Sequence, residues 1–306
     1  MAKKRWWAYF YLIINVLCWG AALIIVKPSL SFVSPTRFLL YRFFFATILS
    51  LPILWYYAPK IKKLGKNLIS ITAHELIGTT VALLVLYTAL SKTGAIEASM
   101  LGTTGPVFIV LAGIWMLHER QTRREWLGLS LAFGGSLLIA LEPIWQHRGA
   151  WQLGTAAILG NALMLLYNLI NGVYFVSAKK HYHKLPKLFV VAVSFVVGLV
   201  TFALATIWEA QLPLAELWRS IGADFAHLEV WVASLYMASF GSVIGLTAYI
   251  KGQDGIEASE ASLFTYLQPL VYMPLGVLLL GETVSQASLI ALVLVFLGVW
   301  IAERRG

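Results

Sequence analysis

One cysteine, Cys18, in 306 residues rules out an intrachain disulfide and a thiolate metal site. Charge is nearly as scarce, at 12% of the chain, and a hydrophobic share of 59% leaves a soluble protein of this length without enough polar surface to cover itself. With a mean hydropathy of +0.79, lipid must be the solvent. The histidines (His74, His118, His147, His181, His183 and His227) are scattered in or beside loops. No H-E-x-x-H or G-x-S-x-G motif occurs and no carboxylate pair lies inside an apolar segment, so the cluster that an integral-membrane enzyme needs is missing. No cofactor or metal is expected. The net charge of +9 comes from basic residues in short blocks between apolar segments, which sets membrane orientation and offers no continuous surface to nucleic acid.

What the chain has is apolar length. A helix needs roughly 20 apolar residues to cross about 30 Å of hydrocarbon. On that basis ten spans are predicted, at 8–26, 38–57, 72–90, 98–117, 126–141, 153–176, 188–208, 230–250, 261–280 and 286–301. The first follows Lys3, Lys4 and Arg5 as the core of a signal peptide would, but it is too long and lacks a small-residue cleavage site, so it reads as a retained span. With the N-terminus inside, seventeen basic residues fall on the cytoplasmic side and five on the other. That asymmetry predicts two cytoplasmic termini, because Lys and Arg resist translocation.

One stretch occurs twice. At a constant offset of 163 residues, Gly78 falls on Gly241, Glu97-Ala98-Ser99 on Glu260-Ala261-Ser262, Pro106 on Pro269, Glu119 on Glu282 and Gly135 on Gly298. Five spans separate equivalent helices and five is odd, so the halves, 1–148 and 149–306, are expected to be inverted relative to each other. The flanks agree: Glu119 precedes Arg120, Arg123 and Arg124, whereas Glu282 precedes Thr283, Val284, Ser285 and Gln286. The fold class expected is an all-α integral membrane protein of ten transmembrane helices in two inverted five-helix repeats.

Trp19-Gly20 in the first span, Arg42-Phe43 early in the second, and in each half a Pro thirteen residues before a Glu (Pro106 to Glu119, Pro269 to Glu282) resemble the drug/metabolite transporter superfamily and, within it, the EamA-type carriers. The likeness covers almost the whole chain. Lys27 is placed for the basic residue that often follows Trp-Gly. The sixth helix departs, with Tyr167-Asn168 where a tryptophan is common. The resemblance implies a solute carrier of the plasma (inner) membrane, usually an exporter of amino acids or related metabolites, that works by alternating access. A lipid scramblase, or a non-transporting membrane protein of the same fold, is the alternative.

Independently of family, Pro106 cannot donate to the Gly102 carbonyl nor Pro269 to that of Thr265, so each helix is expected to carry a break with an unpaired acceptor, beside Thr103 and Thr104 or beside Tyr266 and Gln268. Such backbone either lines a cavity or only kinks the helix. The uncharged polar residues inside spans, Asn15, Asn161, Asn168, Asn171, Thr79, Thr80, Thr103, Thr104, Tyr167, Tyr236, Tyr266 and Gln268, suggest a neutral, partly aromatic cavity for an uncharged or zwitterionic small molecule. The substrate is placed between Asn15, Trp19, Thr103 and Thr104 of one half and Tyr167, Asn168, Tyr266 and Gln268 of the other. Arg42 has three readings: a ligand for a substrate carboxylate, a side chain snorkelling to headgroups, or a partner of Glu97. Glu75, next to His74, has two readings, snorkelling and proton coupling, of which snorkelling is the one expected. Glu119 and Glu282 are expected to accept backbone N–H bonds at the start of the following helix. Gly241 with Gly245, and Gly78 with Ala82, form small-residue faces where the halves are expected to meet. Leu214, Leu217, Trp218 and Ile221 read as a short helix on the outer surface.

Overall fold

The computed structural model describes residues 2–57, 59, 61–146, 154–182 and 186–303. Every regular element among them is a helix. The boundary expected at 148/149, and Lys60, His147, Arg148, His183, Lys184, Arg304 and Arg305, lie outside the described residues.

Among the described residues eight helices are long and apolar enough to cross a membrane: α1 Arg5–Ser31, α2 Pro35–Tyr57, α3 Leu68–Lys92, α4 Ala95–Leu117, α6 Leu159–Lys179, α7 Lys187–Ala210, α9 Leu228–Gln253 and α10 Glu260–Leu280. Between and after them lie α5 Arg123–Gln146, the surface helix α8 Leu214–Asp224 and α11 Gln286–Glu303. The fifth and tenth expected spans fall in α5 and α11, which are not among the eight; α11 carries a shorter apolar stretch, Leu289–Gly298. In hydrocarbon a backbone must satisfy its own N–H and C=O groups, which is why these runs are helical. Their outer faces display Leu51, Trp115, Leu204 and Leu278, all mostly exposed, as lipid-facing surfaces do.

The helices are interrupted at equivalent places. Within α3 residues Leu76–Val81 form a π-helical turn, and within α9 so do Met237–Ile244, a stretch that contains 239–244, where the repeat offset carries 76–81. In α4 the chain turns at Thr103 and Thr104 before resuming at Gly105, and in α10 it tightens into a 3₁₀ turn over Phe264–Leu267. Both helices end the same way. His118 (φ 55°) and Gly281 (φ 65°) adopt the left-handed conformation, and the N–H groups of Glu119 and Glu282 donate to the carbonyls of Gly113 and Gly276, each at 3.2 Å.

Close contacts between helices are also exchanged by the offset. A Cβ on Gly135 would stand 2.9 Å from the Ala291 carbonyl oxygen, and one on Gly298 would run into that of Gly128, so α5 and α11 touch backbone to backbone at two reciprocal points. On α1, Gly20 meets Val271 at 2.8 Å, while on α6 Gly172 meets Phe108, the repeat partner of Val271, also at 2.8 Å. This fixes the register between α1 and α6 at 20 to 172. The residue opposite Trp19 is therefore Asn171, which corrects the expectation that Tyr167-Asn168 takes the tryptophan's place.

The small-residue faces receive side chains. The Tyr174 ring of α6 occupies the place where a Gly78 Cβ would stand, and Trp19 Nε1 of α1 lies 2.6 Å from that of Gly245. The halves meet there by an aromatic ring entering a glycine notch. On the outside, Arg37 of α2 binds Asp224 (2.9 Å) and Ser220 (2.9 Å), and the Tyr41 hydroxyl also donates to Asp224, which ties α8 to the start of α2. Only Leu217 of α8 is buried.

Candidate functional site

A cavity of about 140 Å³ opens between the two sets of helix breaks. Its walls come from both halves: Trp19 on α1, Arg42 on α2, Gly78, Thr79 and Tyr87 on α3, Gly105 and Pro106 on α4, Tyr167, Asn168, Asn171 and Tyr174 on α6, Gly241 and Tyr249 on α9, and Gln268 and Tyr272 on α10. Among the described residues that line it, Arg42 is the only charged one.

Arg42 is 6% exposed, so it does not snorkel. Its Nε donates to Ser242 Oγ (2.9 Å) and its Nη1 to the Tyr87 hydroxyl (3.0 Å), while the guanidinium lies 5.5 Å from the Phe43 ring centre and 5.9 Å from that of Tyr87. Nor does it pair with Glu97. That carboxylate accepts from Thr93 (2.6 Å) and Asn161 (2.9 Å), and among the described residues no salt bridge includes Arg42. Ser242 and Tyr87 were not anticipated, although Ser242 stands next to Gly241 of the repeat.

Six of the expected residues meet at the cavity: Trp19, Arg42, Tyr167, Asn168, Gln268 and Pro106. Trp19 stacks on Tyr249 (5.4 Å, 19°) and donates through Nε1 to the Gly241 carbonyl (2.9 Å), which holds the ring edge and leaves its face as wall. The others lie behind. Asn15 donates to the Gly245 carbonyl (3.0 Å), and the hydroxyls of Thr103 and Thr104 fold back on Met100 (2.5 Å) and Leu101 (2.8 Å). Tyr266 is fully buried in a separate apolar cluster with Ala132 and Leu263, and Pro269 opens the last segment of α10 without lining the cavity.

The breaks are more fully satisfied than expected. The Thr265 carbonyl accepts from the Gln268 N–H (3.0 Å), because the 3₁₀ turn shifts the bond by one residue. In α4 the Asn168 amide donates to both the Leu101 carbonyl (2.8 Å) and the Thr104 hydroxyl (2.7 Å), bracing the turn from across the interface. Asn168→Ala removes two buried donations at once. It is expected to lower stability by about 1–3 kcal/mol, read as a fall in melting temperature of the detergent-solubilised protein, while Asn171→Ala leaves it unchanged.

One helix-end carboxylate caps across the bundle and the other pairs with a lysine. Glu282 accepts from the N–H groups of Ala95 (3.2 Å) and Ile96 (2.9 Å) at the start of α4, in the other half and not in the following helix. Glu119 lies 3.4 Å from Lys179, which also donates to the Ile256 carbonyl (3.0 Å). Lys27 donates likewise to the Thr93 carbonyl (2.6 Å), the repeat partner of Ile256. Glu75 does not snorkel either: it is fully buried and accepts from the hydroxyls of Tyr174 and Tyr182.

The EamA-like transporter family matches residues 6–141 and again 158–303. The chain belongs to that family. Among its relatives, "Uncharacterized transporter YyaM" of Bacillus subtilis (strain 168) is 25% identical over 93% of this chain and 89% of its own length. An "Uncharacterized transporter" of Archaeoglobus fulgidus is 25% identical over 99% of both. A crystal structure 18% identical superposes with a TM-score of 0.73 over 97% of this chain and 96% of the other, which shows the shared fold. As an EamA-like protein the chain is a multi-pass membrane transporter, with a small-molecule substrate and a lipid environment.

Proposed function

We propose that the protein carries a small organic solute with one carboxylate and an apolar part, such as an amino acid or related metabolite, out of the cell by alternating access. The observation that carries this reading is Arg42: a desolvated guanidinium in a cavity whose other described walls are neutral and partly aromatic. Two hydroxyls satisfy part of its five N–H donors, and a carboxylate supplies the missing counter-charge. A single cation suits one carboxylate and serves a polyanion poorly. Trp19, Tyr167, Tyr249 and Gln268 then receive the remainder of the solute, while Asn15, Thr103, Thr104, Asn168 and Tyr266 hold the frame.

The reciprocal contacts of Gly135 with Ala291 and of Gly298 with Gly128 support two inverted halves, 1–148 and 149–306, with ten membrane-crossing helices once α5 and α11 are counted. The same symmetry makes a second arrangement of equal contacts available with the cavity open to the opposite side. In this reading the protein sits in the plasma membrane with both termini cytoplasmic.

Purified protein in liposomes is expected to take up labelled neutral amino acids with apolar side chains, in competition with one another. Equilibration of fluorescent lipid between the leaflets without solute uptake would instead make it a scramblase. Topology is tested separately. In a Cys18→Ser background, single cysteines at Gln121 and Gln286 are expected to react with an impermeant thiol reagent from opposite sides; labelling of both from outside removes the inversion.

A further inference from the structure

On the face that carries Lys179, Lys187 and Asp254, a hydrogen-bonded chain runs inward to the cavity wall. Glu75, the residue before the π turn of α3, accepts from the hydroxyls of Tyr182 (2.7 Å) and Tyr174 (3.1 Å), and its carboxylate lies 3.2 Å from the Thr79 hydroxyl, which donates to the Glu75 backbone carbonyl (2.6 Å). Among the described residues no Lys or Arg forms a salt bridge with it. His74 on the same helix has Nδ1 at 3.7 Å from the carboxylate and at 2.7 Å from the Tyr182 hydroxyl, and its Nε2 touches Ser177 Oγ. The nearby cations are engaged elsewhere. Lys179 is held by Glu119, Lys187 by the Tyr182 carbonyl and by Asp254 at 3.3 Å, and Arg42 of α2 by Tyr87 and Ser242.

Counting hydrogens shows what this chain stores. Tyr182 has one hydroxyl hydrogen, and burial together with the facing carboxylate keeps it protonated by pushing that hydroxyl well above its ordinary range. Aimed at Glu75, it leaves His74 Nδ1 to donate. Ser177 has one as well, and its 2.9 Å contact places it on the Tyr174 carbonyl, so His74 Nε2 must donate too. An imidazolium and a carboxylate bridged by Tyr182 make these contacts, and so does the same chain with its proton passed on, in which Glu75 donates to the Tyr182 hydroxyl and that hydroxyl donates to His74 Nδ1. Passing the proton to Glu75 turns the Tyr182 hydroxyl from the carboxylate to His74 Nδ1, and the neutral acid holds the Tyr174 hydroxyl less strongly than the carboxylate did. Tyr174 and Thr79 both line the cavity, and the Tyr174 ring fills the notch at Gly78, so that rearrangement is felt by the solute site.

We propose that Glu75, reached through His74 and Tyr182, is a proton-binding site coupled to the solute cavity through Tyr174 and Thr79. The coupling rests on the carrier reading; the proton site does not. Infrared difference spectra of the protein in nanodiscs, between acid and alkaline pH, are expected to show a protonated-carboxyl band that is absent from Glu75→Gln and whose midpoint moves in Tyr182→Phe. In liposomes, a pH gradient is expected to drive accumulation of a transported amino acid, and Glu75→Gln to lose accumulation to a greater degree than gradient-free exchange. A spectrum unchanged by Glu75→Gln overturns the site. Accumulation that ignores the gradient in the wild-type protein overturns the coupling. If no amino acid moves at all, the carrier reading fails and the band alone decides the proton site. Should Glu75→Gln not fold, Tyr182→Phe leaves the ring in place, and an unmoved midpoint overturns the relay.

Discussion

Arg42→Gln abolishes uptake of a carboxylate-bearing solute, whereas Glu97→Gln leaves it within a few-fold of the wild-type rate. The difference follows from what each charge faces. Glu97 is held by Thr93 and Asn161, away from the cavity walls, and its loss leaves Arg42 untouched. Removing the guanidinium strands the solute carboxylate in a site lined by aromatic and aliphatic groups. Truncating one member of a buried, hydrogen-bonded charge pair costs about 2–5 kcal/mol, which is about 30-fold or more in affinity. Tyr87→Phe and Ser242→Ala remove only a neutral acceptor from the guanidinium, so each is expected to weaken uptake by about tenfold or less. Binding of the labelled solute to detergent-solubilised protein checks the series. Equal affinity in Arg42→Gln and the wild-type protein removes the carboxylate from the substrate, and uptake lost equally in Glu97→Gln reduces the arginine to packing.

The membrane class, the repeat and the family were legible in the sequence because each is carried by many residues at once: apolar length, an ungapped offset, and Pro-to-Glu spacing in both halves. The site was legible in part. Trp19, Arg42 and Gln268 reach the cavity because they stand on the inner faces of helices beside the breaks. Asn15 and Asn168 have the same kind of address but spend their amide donors on the carbonyls of Gly245 and Leu101. Which carbonyl lies within reach depends on helix register, and composition does not contain it. Arg42 and Glu75 were misplaced for a related reason. Counting from apolar boundaries puts both one turn inside a helix end. In the structure α2 begins at Pro35, so Arg42 stands two turns in, and the polar helix Ile61–Glu75 leads into α3, so Glu75 lies deep. A partner such as Ser242, 200 residues from Arg42, becomes visible only when the halves are assembled.

Gly20→Leu and Gly172→Leu are expected to be equally damaging. At each position the helix approaches its neighbour so closely that even a Cβ meets Val271 or Phe108 at 2.8 Å. Overpacking of this kind costs about 1–3 kcal/mol when neighbours can shift. Here the obstacles are a β-branched Cβ and, for Gly172, the Phe108 backbone, which have little room to give, so loss of a monodisperse protein is the expected result for Leu and a lowered melting temperature for Ala. Helix association in lipid draws on close packing, having no water to exclude, so a notch lost between α1 and α10 is not compensated by burial. The equality is the informative part. If the two halves use the same contact in mirrored places, melting temperatures of Gly20→Ala and Gly172→Ala fall together. A protein that tolerates one and not the other places the two helices in unequal roles, and the rocking of one half against the other then lacks the symmetry that makes both of its end states accessible.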